Sequence, residues 1–171
     1  MKKIMNLAND NYEHLEKLYM NFHQFPELAG DEVKSSKIIS EELFSYGYKV
    51  RNNVGGYGVV GVLKIGEGKT LLLRTEMDAL PIEEKTGLDY ASKVSITNKY
   101  GETKHVMHAC GHDLHMTSFL GAARAMAELK NEWTGTLIVI AQPAEEVGLG
   151  AQQMIKAGLL EKYPKPDYAL A

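Results

Sequence analysis

The sequence predicts an α/β fold, because helix-like and strand-like hydrophobic patterns alternate along it. Apolar residues recur at helical spacing in segments 12–22, 33–43 and 119–129. Segments 71–73 and 136–141 are instead short, largely apolar runs without polar alternation, which is typical of strands buried on both faces of a sheet. A chain of 171 residues, 44% of them hydrophobic, can build a substantial core.

Two helices are expected at the start of the chain. The first begins near residue 12 and is stopped by Pro26, and its histidines, His14 and His23, are interpreted as structural. The second follows Asp31, a plausible N-cap, and Gly47 is well placed to end it.

A pair of strands follows these helices. Segments 59–65 and 70–74 are rich in β-formers, and the short glycine-rich link between them favours an antiparallel hairpin. The second strand delivers Glu76 and Asp78 at its end, where sites in α/β sheets are usually built. A solvated acidic turn is the alternative interpretation.

Segment 81–106 is a long polar connection. Connections of this length are usually functional flaps or small excursions with strands of their own. Segments 90–97 and 104–107 are expected to form a hairpin within it.

Residues 107–115, MHACGHDLH, contain the only cysteine and three of the six histidines. Cys110 and His112 are separated by one glycine, so both side chains can turn toward one cation, and sulfur and nitrogen donors suit zinc and its neighbours. Asp113 is expected to cap the helix that follows, and the helix dipole would then favour a Cys110 thiolate. A structural cysteine beside surface histidines is the alternative.

The strand predicted at 136–141 leads directly to Glu145 and Glu146. Adjacent carboxylates at the exit of an inner strand indicate a functional site more than an exposed turn. A helix is expected from Gly150 to Ala157, closed by Gly158, and the apolar residues 168–171 read as a strand that the sequence ends inside.

A metal centre accounts economically for these polar clusters. Cys110, His112 and one of the two glutamates would be ligands, and the other glutamate would be the general base toward a water whose pKa the cation lowers to ~7. Asp78 or His115 would orient a ligand. A nucleophilic Cys110 with a nearby histidine is the competing chemistry, but it leaves the carboxylate pairs without a role.

Four segments in order, 22–28, 73–82, 107–115 and 142–146 followed by Gly150 and Ala151, resemble one known family. It comprises the amidohydrolases that include hippurate hydrolase, indole-acetyl-amino-acid hydrolases and related N-acyl-amino-acid deacylases, which are similar to zinc aminoacylases. The resemblance implies a three-layer, zinc-aminopeptidase-like α/β catalytic domain. Residues 1–171 would be its incomplete N-terminal part, and the lid and dimerisation domain and the remaining metal-binding histidines would be absent.

The resemblance also implies a site. Cys110 matches a metal-bridging thiolate, His112 and Glu146 match metal ligands, Glu145 matches the general base, and Asp78 matches a supporting acidic residue. Two divalent ions are implied, which would be zinc, manganese, cobalt or nickel. One departure concerns Glu76, because the family's usual Ala-Asp-Met-Asp reads Thr-Glu-Met-Asp here.

The implied activity is metal-dependent hydrolysis of the amide bond of N-acyl amino acids or similar small amides. We expect the isolated chain to bind metal weakly and to have little activity. The alternatives are one half of a split enzyme, active with a complementary C-terminal half, and a non-catalytic remnant or binding module. A homo-oligomer is a further alternative. The net charge of -3 and the lack of a long apolar segment favour neither nucleic acid nor membrane as partner, and the single cysteine favours the cytoplasm.

Overall fold

The architecture is a five-stranded mixed sheet with helices on both faces. The computed structural model describes residues 2–97 and 100–171. The helices are α1 (Lys2–Asp10), α2 (Tyr12–Gln24), α3 (Val33–Ser45), α4 (His112–Glu128), α5 (Gly150–Lys156) and α6 (Leu159–Lys162). The strands are β1 (Lys49–Arg51), β2 (Val59–Ile65), β3 (Thr70–Glu76), β4 (Ser95–Thr97), β5 (Thr103–His105), β6 (Gly135–Gln142) and β7 (Tyr168–Leu170).

Strand β6 lies at the centre of the sheet and is buried along its whole length. Its alternate side chains enter two different cores. Leu137, Val139 and Ala141 pack with α2, α3 and α4, whereas Ile138 and Ile140 pack with the side of α5 and α6. This period-two division of one apolar strand produces three layers, as the family resemblance implied.

The predicted hairpin between the second and third strands is wrong. The sheet order is β1-β2-β6-β3-β7, so β6 lies between β2 and β3, antiparallel to the first and parallel to the second. The reason is that β6, whose residues 137–141 are all apolar, gains most from an interior position, where both of its edges are hydrogen-bonded and both of its faces are buried. A short glycine-rich link indicates only that the chain reverses direction. It gives no information on whether a strand distant in sequence, here β6, lies between the two strands that it joins.

Two predicted helix caps are also wrong. Helix α3 follows Glu32, and its first free N–H groups, at Lys34 and Ser35, donate to the Glu27 carboxylate at 3.0 and 2.8 Å. Helix α4 follows Gly111, whose φ is 80°, so Asp113 lies within its first turn. In both cases a residue other than the expected aspartate occupies the cap position.

Several further predictions are confirmed, whereas α1, β1 and α6 were not predicted from the sequence. Strands β4 and β5 pair antiparallel within the predicted excursion, helix α5 ends just before Gly158, and β7 pairs parallel with β3. None of the helices in the described part of the chain has the length and apolar character that crossing a membrane requires.

Candidate metal centre

The candidate site lies where β3 and β6 end side by side. These strands are parallel, and Glu76 of β3 is in register with Gln142 of β6. Because the chain leaves both strands at the same edge of the sheet, Asp78 and the pair Glu145 and Glu146 are brought together although they are far apart in sequence. The start of α4 brings His112 to the same edge.

His112 is the centre of this cluster. Its Nε2 lies 3.8 Å from Glu145 Oε2, and its Nδ1 lies 4.0 Å from Glu146 Oε1. One donor atom from each of the three side chains can be chosen so that all lie within 4.8 Å of one another. Donor atoms at such separations can close around one divalent ion with small side-chain rotations.

The backbone of Asp78 fixes the tautomer of His112. His112 Nδ1 lies 2.7 Å from the carbonyl oxygen of Asp78. A carbonyl oxygen only accepts hydrogen bonds, so Nδ1 carries a hydrogen, and in the neutral imidazole Nε2 has the free electron pair. That is the form in which an imidazole binds a metal through Nε2.

The carboxylate of Asp78 binds the backbone of the two glutamates, and its Oδ1 also lies 3.9 Å from His112 Nδ1. Its Oδ1 accepts a hydrogen bond from the Glu145 N–H at 3.0 Å, and its Oδ2 accepts one from the Glu146 N–H at 2.9 Å. The Asp78 side chain is completely buried. Asp78 therefore contacts three of the predicted site residues, the histidine through its backbone and the glutamates through its side chain.

Cys110 lies beside Glu146 at the exposed rim of the cluster. A hydrogen bond to Glu146 raises the pKa of the Cys110 thiol, and the charges of Glu146, Glu145 and Asp78 act in the same direction. This direction is opposite to the thiolate that the helix dipole was expected to favour. A divalent cation among these groups would reverse the balance.

Unpartnered polar atoms surround the same place. Among the residues that the structure describes, Glu146 Oε1 and both ring nitrogens of His108 are buried without a hydrogen-bond partner. Burial lowers the pKa of His108 to about 4, so its imidazole is neutral at neutral pH. A buried carboxylate oxygen without a partner is costly unless a cation compensates it, and sulfur, nitrogen and oxygen donors together suit zinc and related transition metals. The residues present fit a divalent metal.

Glu76, the departure noted in the sequence, does not join this cluster of donors. Its carboxylate lies 2.6 Å from Nδ1 of His115 and forms an ion pair with Arg74. Arg74 in turn donates to the side chain of Gln142 at 2.9 Å. The longer side chain of glutamate is therefore engaged in a network that links β3, β6 and α4 beside the site.

Sequence reasoning missed two sets of residues around the site. Glu32, fully buried, accepts a hydrogen bond from the Ala144 N–H at 2.7 Å. His23 lies between Asp113 and Glu84, 2.6 and 2.9 Å away. Nothing in the local pattern distinguishes Glu32 and Glu84 from ordinary surface charges, because their partners are distant in sequence.

Comparison with known proteins places this geometry in a family. The family model for Peptidase family M20/M25/M40 matches residues 72–171. Hippurate hydrolase of Campylobacter jejuni is 44% identical over 154 residues, covering 90% of this chain and 37% of that protein. IAA-amino acid hydrolase ILR1-like 5 of Arabidopsis thaliana is 39% identical over 162 residues, covering 94% of this chain and 35% of that protein.

A solved structure agrees with these sequence matches. The YXEP protein of Bacillus subtilis, a dinuclear metal binding peptidase from the M20 family, superposes with a TM-score of 0.78 and 33% identity. The match covers 89% of this chain and 40% of that one. The chain thus spans little more than a third of the length of the curated relatives reported above, 35% and 37%. By the family model and by its three-layer fold, the chain belongs to peptidase family M20/M25/M40.

Proposed function

We propose that residues 1–171 are part of the catalytic domain of a metal-dependent amidohydrolase that cleaves the amide bond of N-acyl amino acids. The observation that carries this proposal is the convergence of His112, Glu145 and Glu146 within 4.8 Å at the ends of β3 and β6. Cys110, which lies beside Glu146, adds a sulfur donor at the rim.

The substrate class is supported by the relatives. The names of two of them state hydrolysis of hippurate and of IAA-amino acids, and hippurate is an N-acyl amino acid. The dinuclear centre of the similar Bacillus subtilis peptidase supports two divalent ions rather than one. A complementary C-terminal half, a homo-oligomer and a cytoplasmic location stay predictions.

In this proposal Cys110, His112 and Glu146 hold the metal, with His112 presenting Nε2. When bound, divalent ions would polarise the substrate carbonyl and lower the pKa of a water. Glu145, whose side chain is 39% exposed, has a carboxylate that is free to accept a proton from that water and later to donate it to the leaving amine. Asp78 holds the backbone of both glutamates, so that their side chains keep distinct directions.

The test combines metal binding with hydrolysis. The chain and its variants are loaded with zinc, manganese or cobalt, passed through a desalting column, assayed for bound metal, and assayed on a panel of N-acyl amino acids. We expect Cys110→Ala and His112→Ala to lose metal, whereas Glu145→Gln should retain metal and lose any hydrolysis that the chain shows. Metal content unchanged in both ligand variants would refute the proposal.

The same assay distinguishes the competing chemistry. A nucleophilic cysteine predicts that Cys110→Ala abolishes hydrolysis without changing metal content, and that a chelator leaves the wild-type rate unchanged. A binding module predicts that the chain retains an N-acyl amino acid after Glu145→Gln and without metal.

A further inference from the structure

The turn that carries Glu145 and Glu146 is held by two buried carboxylates. Three consecutive N–H groups, those of residues 144, 145 and 146, donate to them in order. The Ala144 N–H donates to Glu32 Oε1 at 2.7 Å, and the next two donate to the oxygens of Asp78 at 3.0 and 2.9 Å. Both acidic residues are 0% exposed.

Ala144 has an unfavourable backbone conformation. Its φ is +51°, in the left-handed region that residues with a Cβ rarely adopt and that costs roughly 1–2 kcal/mol. Its carbonyl oxygen accepts from the N–H groups of Leu149 and Gly150 at 3.2 and 3.1 Å. With its N–H on Glu32, the peptide groups on both sides of Ala144 are fixed, and this conformation sets the direction in which the chain enters Glu145.

Packing alone does not explain a carboxylate at position 32. Burial raises the pKa of Glu32, and Oε2 has no hydrogen-bond partner within the described residues 2–97 and 100–171. The donors that the described residues offer to this carboxylate are backbone N–H groups, those of Gly30 at 3.0 Å, of Ala144 at 2.7 Å and of Glu32 itself. A buried carboxylate with so few donors is costly, and an apolar residue of the same size would fill the space at lower cost.

The loop that carries Glu32 is itself tied to the site. The Ala79 N–H, one residue after Asp78, donates to the Glu27 carbonyl oxygen at 2.8 Å. Residues 27–32 therefore bridge the chain that leaves β3 and the chain that leaves β6. The Glu32 carboxylate on this loop can therefore hold the segment after β6 in a fixed position relative to the segment after β3.

We propose that Glu32 is a positioning residue of the metal centre. By accepting the Ala144 N–H it keeps Ala144 left-handed, and it thereby directs the carboxylates of Glu145 and Glu146 toward His112. This inference rests on the proposed function, because it assigns Glu32 a role in forming the metal-binding geometry rather than in stability alone.

The experiment measures zinc affinity of the 171-residue chain by competition with a chromophoric chelator, at a temperature where circular dichroism shows every variant folded. Glu32→Ala removes the acceptor, and we expect zinc affinity to fall about 10–100-fold, the usual effect of losing a group that orients a ligand. Glu32→Gln retains a carbonyl oxygen for the same N–H groups, so its affinity should stay within about threefold of wild type.

Glu27→Ala is the matched control. Glu27 lies on the same loop and accepts hydrogen bonds from the N–H groups of Lys34 and Ser35 and from the Ser35 hydroxyl, but its carboxylate serves the start of α3. Its loss should lower the melting temperature and leave zinc affinity unchanged. Equal losses of affinity in Glu27→Ala and Glu32→Ala, or wild-type affinity in Glu32→Ala, would overturn the inference.

A further variant covers the case in which Glu32→Ala does not fold. Glu32→Asp retains the charge but withdraws the acceptor by one methylene, so zinc affinity should fall although the protein folds. Wild-type affinity in Glu32→Asp would also overturn the inference. If the wild-type chain itself binds no zinc, the proposed function fails first, which is a different result from wild-type binding that Glu32 variants leave unaltered.

Discussion

At the scale of single residues, the turn before α5 depends on the absence of a side chain at Gly150. A Cβ built there would lie 1.5 Å from the carbonyl oxygen of Pro143, and backbone cannot move away as a side chain can. The Gly150 N–H also donates to the carbonyl oxygen of Ala144, the residue with φ of +51°. Helix α5 is thus packed directly against the turn that presents Glu145 and Glu146.

Gly150→Ala should therefore damage both stability and the site. We expect a loss of about 3 kcal/mol, at the upper end of the usual cost of overpacking, and weaker zinc binding because the turn must shift. Chemical denaturation measures the first effect and chelator competition the second.

Gly148→Ala is the control for Gly150→Ala. Gly148 has φ of +69°, but a Cβ there would meet no atom within 4 Å. Only the backbone preference is then lost, about 1 kcal/mol, and zinc affinity should be unchanged. A Gly150→Ala variant that is no less stable than Gly148→Ala would contradict the steric argument.

At the scale of elements, His23 connects three parts of the chain that are far apart in sequence. It lies on α2, it contacts Asp113 of α4 and Glu84 of the excursion, and its ring packs near Tyr19 and Tyr90. Glu84 also accepts from the Thr86 hydroxyl and the Ser92 N–H, so it organises the excursion around its own carboxylate.

The pair formed by His23 and Glu84 should make stability depend on pH. Burial lowers the pKa of His23, but the hydrogen bonds to Glu84 and Asp113 raise it by more, so it lies above its ordinary value of 6.5. Burial raises the pKa of Glu84, but hydrogen bonds from Thr86, His23 and Ser92 bring it below its ordinary value of 4.5. The contribution of His23 is complete below 6.5 and is lost as the pH rises through its raised pKa, whereas that of Glu84 is complete above 4.5 and is lost as the pH falls.

We therefore expect Glu84→Gln to destabilise the protein most between pH 4.5 and 6.5. The loss should be ~1–2 kcal/mol, since a charged hydrogen bond is replaced by a neutral one. The melting temperatures of wild type and variant are measured across pH. The difference between them should be smaller below and above this pH window than within it. A difference that does not vary with pH would show that the pair is not ionised in the folded protein.

Local sequence patterns predicted the positions of helices and strands better than they predicted which strands pair and which residues cap the helices. The strand β6 and the helix α5 follow from apolar period and from glycine, which act within a few residues. The hairpin between β2 and β3 was wrong because a strand inserted from 135–142 decides the pairing. The caps expected at Asp31 and Asp113 were wrong because Glu27 serves one helix start and Gly111 precedes the other.

The candidate site shows the same division. Cys110, His112, Glu145 and Glu146 were identified because their side-chain chemistry and short spacings are visible in sequence, although their proposed roles stay predictions. The supports of the site were not visible. Glu32 meets Ala144 across 112 positions, and such pairings arise only when the sheet assembles.

At the scale of the whole molecule, the candidate centre connects parts of the chain that only the folded state brings together. Asp78 follows β3, His112 begins α4, and Glu145 follows β6. In the unfolded chain these residues are far apart and form no common site. Folding instead gathers carboxylates at one edge of the sheet, where their mutual repulsion opposes stability until a cation offsets it.

Zinc should therefore stabilise the folded chain by mass action. At a free zinc concentration one hundred times the dissociation constant, the stabilisation is about 2.7 kcal/mol. For a chain of this size that corresponds to a rise in melting temperature of roughly 5–10 °C. Differential scanning calorimetry with and without zinc measures it, and magnesium at the same concentration should have little effect, because a site with thiol and imidazole donors disfavours it.

His112→Ala is the decisive control for this rise, because it removes the central donor of the cluster while leaving Cys110 and the glutamates free to bind zinc in the unfolded chain. Zinc that binds only scattered surface groups would raise the melting temperature of His112→Ala as much as that of wild type, and the whole-molecule argument would then be wrong. If the argument holds, zinc should leave the variant unchanged or lower its melting temperature, since binding to unfolded thiol and histidine groups favours unfolding. If zinc raises the melting temperature of wild type and lowers that of the variant, zinc binds the site assembled at the edge of the sheet and not scattered groups of the chain.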